Sequence, residues 1–161
     1  MFRFAVKTSI KSAILALFLF LPLTVLAQEK VRFGTAPLTI VTAGGQRHQM
    51  TAELALTPEQ REHGLMYRKV MADDHGMLFD FGETRRVMMW MKNTVLALDM
   101  LFIDEQGVVT AIHNDAVPFS EAIIDSRGPI KFVLEINGGL AKRLGIDRGD
   151  RVETAVIGTP R

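Results

Sequence analysis

Residues 48–56, His-Gln-Met-Thr-Ala-Glu-Leu-Ala-Leu, carry the clearest secondary-structure signal in the chain. The even-numbered positions share one face and are mostly apolar, while Gln49, Thr51 and Glu53 share the other face. A period of two is typical of a β-strand with one buried face. We therefore predict a half-buried strand here.

Shorter apolar runs on both sides predict further strands. Gly44-Gly45 suits a hairpin turn back to a strand at 38–42, and the Asp-Glu-Gln-Gly sequence of 104–107 suits a second hairpin. The later strands are predicted over residues 77–81, 86–92, 98–104, 108–113, 132–137 and 152–157.

Two short helices complete the prediction. Residues 57–60, Thr-Pro-Glu-Gln, have the composition of a capping box, and Gly64 supplies a helix stop. A second helix is expected over 138–144, ended by Gly145. Many short strands with two short helices predict a mainly β fold, a compact antiparallel β barrel or sandwich. The helices are too few to cover a parallel sheet, which argues against a doubly wound α/β fold.

The first 27 residues predict export. A basic start is followed by an apolar run over 12–26 and a small residue, Ala27, as in a secretory signal peptide. An uncleaved anchor is the alternative, but the run is shorter than the roughly 20 apolar residues of a spanning helix and Pro22 interrupts it. We expect a signal peptide over 1–27, a flexible segment over 28–37 and one β domain over 38–158. The mature protein would be periplasmic or secreted, without stable membrane insertion.

Composition excludes several classes of function. The chain has 161 residues and no Cys, so disulfides, thiolate-bound metals and thiol nucleophiles are excluded. The net charge of +1 becomes −2 once the three basic residues of the leader are removed. The basic residues are scattered and not interleaved with aromatic ones, so we expect no nucleic-acid partner. The oligomeric state is not predicted.

Several phrases of the sequence occur in a characteristic order: EHGLMYR at 62–68, GMLF at 76–79, WMKNT at 90–94, LDMLFID at 98–104, VLEINGG at 133–139 and Gly149-Asp150. In this order the chain resembles the bacterial and archaeal family called domain of unknown function 192, over about residues 38–158. Met89 stands where the family usually has Phe. The resemblance implies a compact, mainly β domain, often exported, with no established activity.

The WMKNT phrase indicates a candidate binding site. On a strand, Trp90 and Lys92 share a face, and Asn93 and Thr94 follow in a turn. A Trp platform with Lys and Asn hydrogen bonds suits a small-molecule or glycan ligand. The alternative is that Asn93 and Thr94 only bond the turn backbone. We add Arg68 to the candidate binding residues.

A methionine-based metal site is a weaker interpretation. Thioethers bind Cu(I), but methionine also fills gaps in β cores. Strand alternation separates Met88 from Met89 and Met91. We therefore expect core packing, with no metal and no cofactor.

Two carboxylates lie among apolar neighbours. Asp99 shares a face with Leu101 and Ile103, and Glu135 shares one with Val133. Such an acid is either paired, for Asp99 with Arg68 or Lys92, or has a raised pKa. If the two converge in a cleft they could act as acid and base on a glycan, whereas structural salt bridges are the alternative.

The sequence contains no Gly-x-Ser-x-Gly, phosphate-binding loop or His-Glu-x-x-His motif. We therefore favour a non-catalytic binding or accessory module of the cell envelope. The alternative is a small enzyme that acts on an envelope polymer or glycan with Asp99 and Glu135.

Overall fold

The computed structural model describes residues 31–158, which form seven strands and two short helices. The predicted signal peptide, residues 1–27, lies outside the described residues. The mainly β prediction is confirmed. The elements in chain order are β1 (Gly34–Val41), β2 (Arg47–Ala55), α1 (Pro58–His63), β3 (His75–Met89), β4 (Leu98–Ile103), β5 (Val109–Ala116), β6 (Ile124–Asn137), α2 (Leu140–Leu144) and β7 (Arg151–Glu153).

The seven strands form one curled sheet in the order β5-β4-β6-β3-β2-β1-β7. Neighbouring strands are antiparallel except β2 and β3, which are parallel. The sheet is curled into a half-barrel. Its two edge strands, β5 and β7, approach each other at one point, where Val108, just before β5, forms a single antiparallel bridge with Arg151 of β7.

Each face of the sheet buries its own apolar cluster. On β6, Leu134 and Ile136 belong to the cluster under α2, which also contains Leu140. Val133 points to the other face and joins a second cluster, which contains Leu65 from the segment after α1. Burial of each such side chain stabilises the fold by about 1.5–3 kcal/mol relative to exposure. The half-buried face predicted for β2 is confirmed, since Met50 and Ala52 are buried.

The longest strands differ most from the predicted ones. β3 is a single bent strand where two were predicted, because register shifts between Asp80 and Arg85 and between Arg86 and Met88 let it keep pairing with β6. β6 begins at Ile124, eight residues before the predicted strand. β1 begins at Gly34, within the segment that we expected to be flexible. β7 has three residues, fewer than predicted.

Both helices end at the predicted glycines, while α2 begins at Leu140, two residues after the predicted start. The Thr57 hydroxyl accepts a hydrogen bond from the Gln60 N–H, and the Gln60 side chain accepts one from the Thr57 N–H, so the capping box is confirmed. Gly64 ends α1 with φ +47° and ψ −135°, and Gly145 ends α2 in the left-handed conformation. Within residues 31–158 neither helix has the length and apolar character needed to cross a bilayer.

Candidate functional site

A cleft of about 290 Å³ lies between α1 with its following turn and the end of β3 with its following loop. This volume is near the lower limit for small-molecule sites. Trp90, three methionines and two phenylalanines contribute most of its apolar wall. Its polar lining consists of Arg61, Glu62, His63, Lys92, Thr94 and Glu135.

Trp90 and Lys92 lie together at this cleft. The Lys92 Nζ is 5.0 Å from the centroid of the Trp90 ring, and Trp90 is 41% exposed. The two side chains thus lie together as predicted, but β3 ends at Met89, so they lie in the loop after the strand and not on it. The contact is a cation–π interaction, which stabilises by about 0.5–1 kcal/mol at exposed sites. Met91 is fully buried on the opposite face, as the alternation predicted.

Asn93 and Thr94 connect this loop to its neighbours. Asn93 has φ +55°, and its carbonyl accepts a hydrogen bond from the Tyr67 N–H at 2.9 Å. Thr94 lines the cleft, and its hydroxyl donates to the Lys92 carbonyl at 3.2 Å. Asn93 does not line the cleft. The Asn93 side-chain amide donates to the Met66 sulfur at 3.8 Å instead of to the turn backbone. Thr94 therefore bonds the turn backbone and also faces the cleft.

Glu135 lines the cleft from the β-sheet side. It is 4% exposed, and on β6 it lies opposite Met77 of β3 and Met100 of β4. Its carboxyl group has no hydrogen bond or ion pair to any residue that the structure describes. Burial raises the pKa of Glu135 to about 8, so the group keeps its proton at neutral pH. Glu135 therefore presents a neutral carboxylic acid to the cleft.

Asp99 points to the other face of the sheet. It lies opposite Ile136 in the β4–β6 register, one position along from Glu135, so the two carboxyl groups do not share a cleft. Its Oδ1 accepts hydrogen bonds from the N–H groups of Asp115 (2.8 Å) and Gly139 (3.0 Å), and its Oδ2 from Ala141 (2.9 Å). Asp99 is fully buried and joins β4, β5 and the start of α2.

The expected pairing of Asp99 with Arg68 or Lys92 is wrong, because three backbone N–H groups already satisfy the carboxylate. Arg68 instead forms a two-pronged ion pair with Glu53 of β2. It lines a larger, adjoining cavity of about 930 Å³, which shares His63 and Met66 with the cleft. Arg68 is thus next to the cleft, but its guanidinium is already engaged.

The α1 side of the cleft was not found from sequence reasoning. Arg61 donates hydrogen bonds to the carbonyls of Leu56 (2.7 Å) and Asp80 (2.9 Å), which fastens the helix to β3. Its guanidinium also lies 5.6 Å from the Phe81 ring centroid. The EHGLMYR phrase at 62–68 could have indicated this side of the cleft, because it contains His63 and Met66, which line the wall.

Two exposed aromatic residues flank the loop that carries Trp90. Tyr67 (65% exposed, φ +62°) and Phe119 (62% exposed, φ +60°) adopt a conformation that bulky side chains rarely accept. Their N–H groups donate to the carbonyls of Asn93 (2.9 Å) and Thr94 (3.1 Å), which holds three turns side by side. Strained residues of this kind cluster at functional sites.

Other parts of the described chain provide weaker candidates. A cavity of about 900 Å³ on the α2 side is flanked by Arg127, Lys142 and Arg148, but all three side chains are exposed. Among residues 31–158 no group of three His, Asp or Glu side chains could hold a metal ion. The cleft beside Trp90 is therefore the candidate functional site.

The curled sheet and the cleft on one of its faces place the protein in the class of small β half-barrel domains. The cleft is lined by polar and aromatic residues. The chain belongs to the family domain of unknown function 192, DUF192, which is described as "Uncharacterized ACR" and whose model matches residues 39–154. This confirms the resemblance given by the sequence phrases.

Two solved structures are similar to the chain. One is a "putative transcription regulator" from Sinorhizobium meliloti 1021, with 60% identity over 78% of this chain and 98% of that chain and a TM-score of 0.77. The other is a "protein of unknown function" from Novosphingobium aromaticivorans DSM 12444, with 43% identity over 73% of this chain and 83% of that chain and a TM-score of 0.70. No curated protein matches the chain.

Proposed function

We propose that the protein is a non-catalytic binding module of the cell envelope, which takes a small molecule or a glycan fragment in the cleft beside Trp90. The observation that carries this proposal is Glu135, a buried carboxyl group that has no partner among the described residues and lines a cavity. Because Glu135 lines the cleft, its carboxyl group can form hydrogen bonds with a ligand there. In the apolar surroundings of the cleft such hydrogen bonds would favour binding.

The entrance of the cleft supports the same role. Trp90 is partly exposed and offers a flat apolar surface, while Lys92 beside it offers a charged hydrogen-bond donor. Binding sites typically combine a mostly apolar wall with a few convergent polar groups. Location in the envelope rests on the signal-like composition of residues 1–27, which lie outside the described part of the chain.

Paired-carboxylate catalysis has less support. An acid and base pair for glycan hydrolysis requires two carboxyl groups that flank one bond. Asp99 and Glu135 point to opposite faces of the sheet, and three backbone N–H groups occupy Asp99. Glu135 could still act alone as a proton donor, but the geometry favours recognition of a ligand over hydrolysis.

Nucleic acid is not part of the proposal, although one relative carries the description of a transcription regulator. Five arginines of the described chain form ion pairs with carboxylates, which leaves less free positive charge on the surface. The chain without residues 1–27 has a net charge of −2. Phosphate binding needs clustered, unpaired basic side chains. The paired arginines are Arg47, Arg68, Arg85, Arg86 and Arg143.

Trp90 is the only Trp in the chain and provides the test. Fragments of the cell envelope, fractionated by size, are titrated into the protein while Trp90 emission is recorded. We expect one fraction to shift the emission saturably, and Lys92→Ala to weaken that shift. Lys142→Ala, on the far side of the sheet, is the matched control and should leave it unchanged. The absence of any saturable change with every fraction would overturn the proposal.

A further inference from the structure

We propose that the cleft recognises an amide group, and that its ligand class is the N-acylated amino sugars, with the acylamino group against Glu135 and the sugar ring against Trp90. This inference rests on the binding function proposed above. It specifies the functional group of the ligand that the inner end of the cleft, at Glu135, would recognise.

The first argument is the hydrogen-bonding capacity of Glu135. A protonated carboxyl group has one O–H donor and one carbonyl acceptor. A secondary amide is trans, so its N–H and C=O point to opposite sides and a single carboxyl group does not bind both. The Glu135 O–H can donate to the amide carbonyl oxygen, which is a stronger acceptor than a hydroxyl oxygen. The acyl carbonyl is therefore the neutral ligand group that best uses the Glu135 proton.

The second argument is the apolar surroundings of that carboxyl group. Met77 and Met100 flank Glu135 across the two neighbouring strands, and Phe79 and Leu65 line the same cleft. An acyl methyl group can bury against such a wall favourably. A ligand ammonium would instead require an ion pair in this apolar environment, whose desolvation cost can exceed the attraction gained.

The third argument concerns the entrance. Trp90 presents an indole that is 41% exposed, which suits the C–H face of a sugar ring. Lys92 lies over that indole, where its ammonium can donate to ring hydroxyl groups. The cleft thus combines an amide-selective inner end with a ring-binding entrance.

The protonation state of Glu135 predicts the direction in which ligand affinity changes with pH. Amide binding uses the Glu135 proton, so affinity should be lost as the pH rises through the pKa of about 8. A cationic ligand would show the opposite trend, because it needs the ionised form. The charged and titratable groups that line the same cleft are Arg61, Glu62 and His63 from α1 and Lys92 from the loop, while β3 and β4 place uncharged Met77 and Met100 beside Glu135.

The experiment uses protein purified from cells that express the full chain. N-acetylglucosamine and its short oligomers are titrated at about pH 6 to pH 10, with glucosamine and glucose as matched sugars that lack the amide. We expect the N-acetylated sugars to bind best, with the dissociation constant rising about tenfold per pH unit above pH 8. Glu135→Gln keeps a donor and an acceptor, so it should retain binding and remove this rise. Glu135→Met should abolish binding.

The outcomes separate this inference from the proposed function. If glucosamine binds better than N-acetylglucosamine, or if only ligands without an amide perturb Trp90, the amide assignment is wrong and the binding function stands. If no sugar and no envelope fraction perturbs Trp90, both fail. The wild-type pH series decides the question even if Glu135→Met does not fold. Circular dichroism of each variant confirms the fold.

Discussion

Replacement of Glu135 by glutamine should stabilise the folded protein at neutral and alkaline pH. The wild-type carboxyl group is buried, and burial raises its pKa from 4.5 to about 8. Between these two values the folded state keeps a proton that the unfolded state releases. The wild-type free energy of unfolding must therefore fall as the pH rises through this window.

The magnitude follows from the width of the window. The contribution of the protonated group is complete below about pH 4.5, declines by about 1.4 kcal/mol per pH unit, and is lost above about pH 8. Glutamine has nearly the same shape and does not ionise, so its contribution is independent of pH. The variant should gain roughly 4 kcal/mol over the wild type between pH 5 and pH 8.

Urea unfolding from about pH 5 to pH 9, monitored by Trp90 emission and by circular dichroism, measures this difference. Carboxyl groups whose pKa is lowered by hydrogen bonds, such as Asp73 and Asp125, contribute equally to both proteins and cancel. Glu121→Gln, at an exposed glutamate, is the matched control and should follow the wild-type curve. Parallel stability curves for wild type and Glu135→Gln would refute the reasoning.

Three further predictions concern other parts of the chain. Gly64→Val should destabilise the folded protein by about 2 kcal/mol or more, because Gly64 has φ +47° and an added Cβ would lie 3.2 Å from the Phe79 ring. Gly34 has open space around it and no positive φ, so Gly34→Val is the control and should be near neutral in the same thermal melts. Asp99→Ala should cost about 3 kcal/mol in urea unfolding, because it leaves three backbone N–H groups without their acceptor, and a loss below 1 kcal/mol would contradict the structural role. N-terminal sequencing of protein recovered outside the cytoplasm should begin at or near Gln28, and recovery of the intact N-terminus from membranes would contradict export.

Local sequence signals were sufficient for the elements that depend on near neighbours. The capping box at Thr57, the Gly44-Gly45 hairpin and the alternation from Met88 to Lys92 each involve contacts within a few residues. Such contacts are set by backbone preferences and side-chain period, which can be read from a short window. These predictions were confirmed.

The long strands were predicted less well because their continuity depends on distant partners. The first part of β6 contains Gly128 and Pro129, residues that normally indicate a turn, yet Pro129 lies opposite Arg86 of β3. Gly82 and the bulges beside it likewise gave β3 the appearance of two strands. Pairing between β3 and β6 overrides these local preferences, and a single sequence does not reveal it.

The register between β4 and β6 determines which of the two buried acids faces the cleft, and it is set by contacts between residues that are far apart in the sequence. Leu101 lies opposite Leu134, and this pair fixes Asp99 opposite Ile136. A shift of one residue would place Asp99 opposite Glu135 on one face, as an acid pair for hydrolysis would require. That shift would also turn one strand's apolar residues away from their clusters, so packing opposes it. Core packing thus separates the two acids, so that Asp99 joins three segments of backbone and Glu135 faces the cleft.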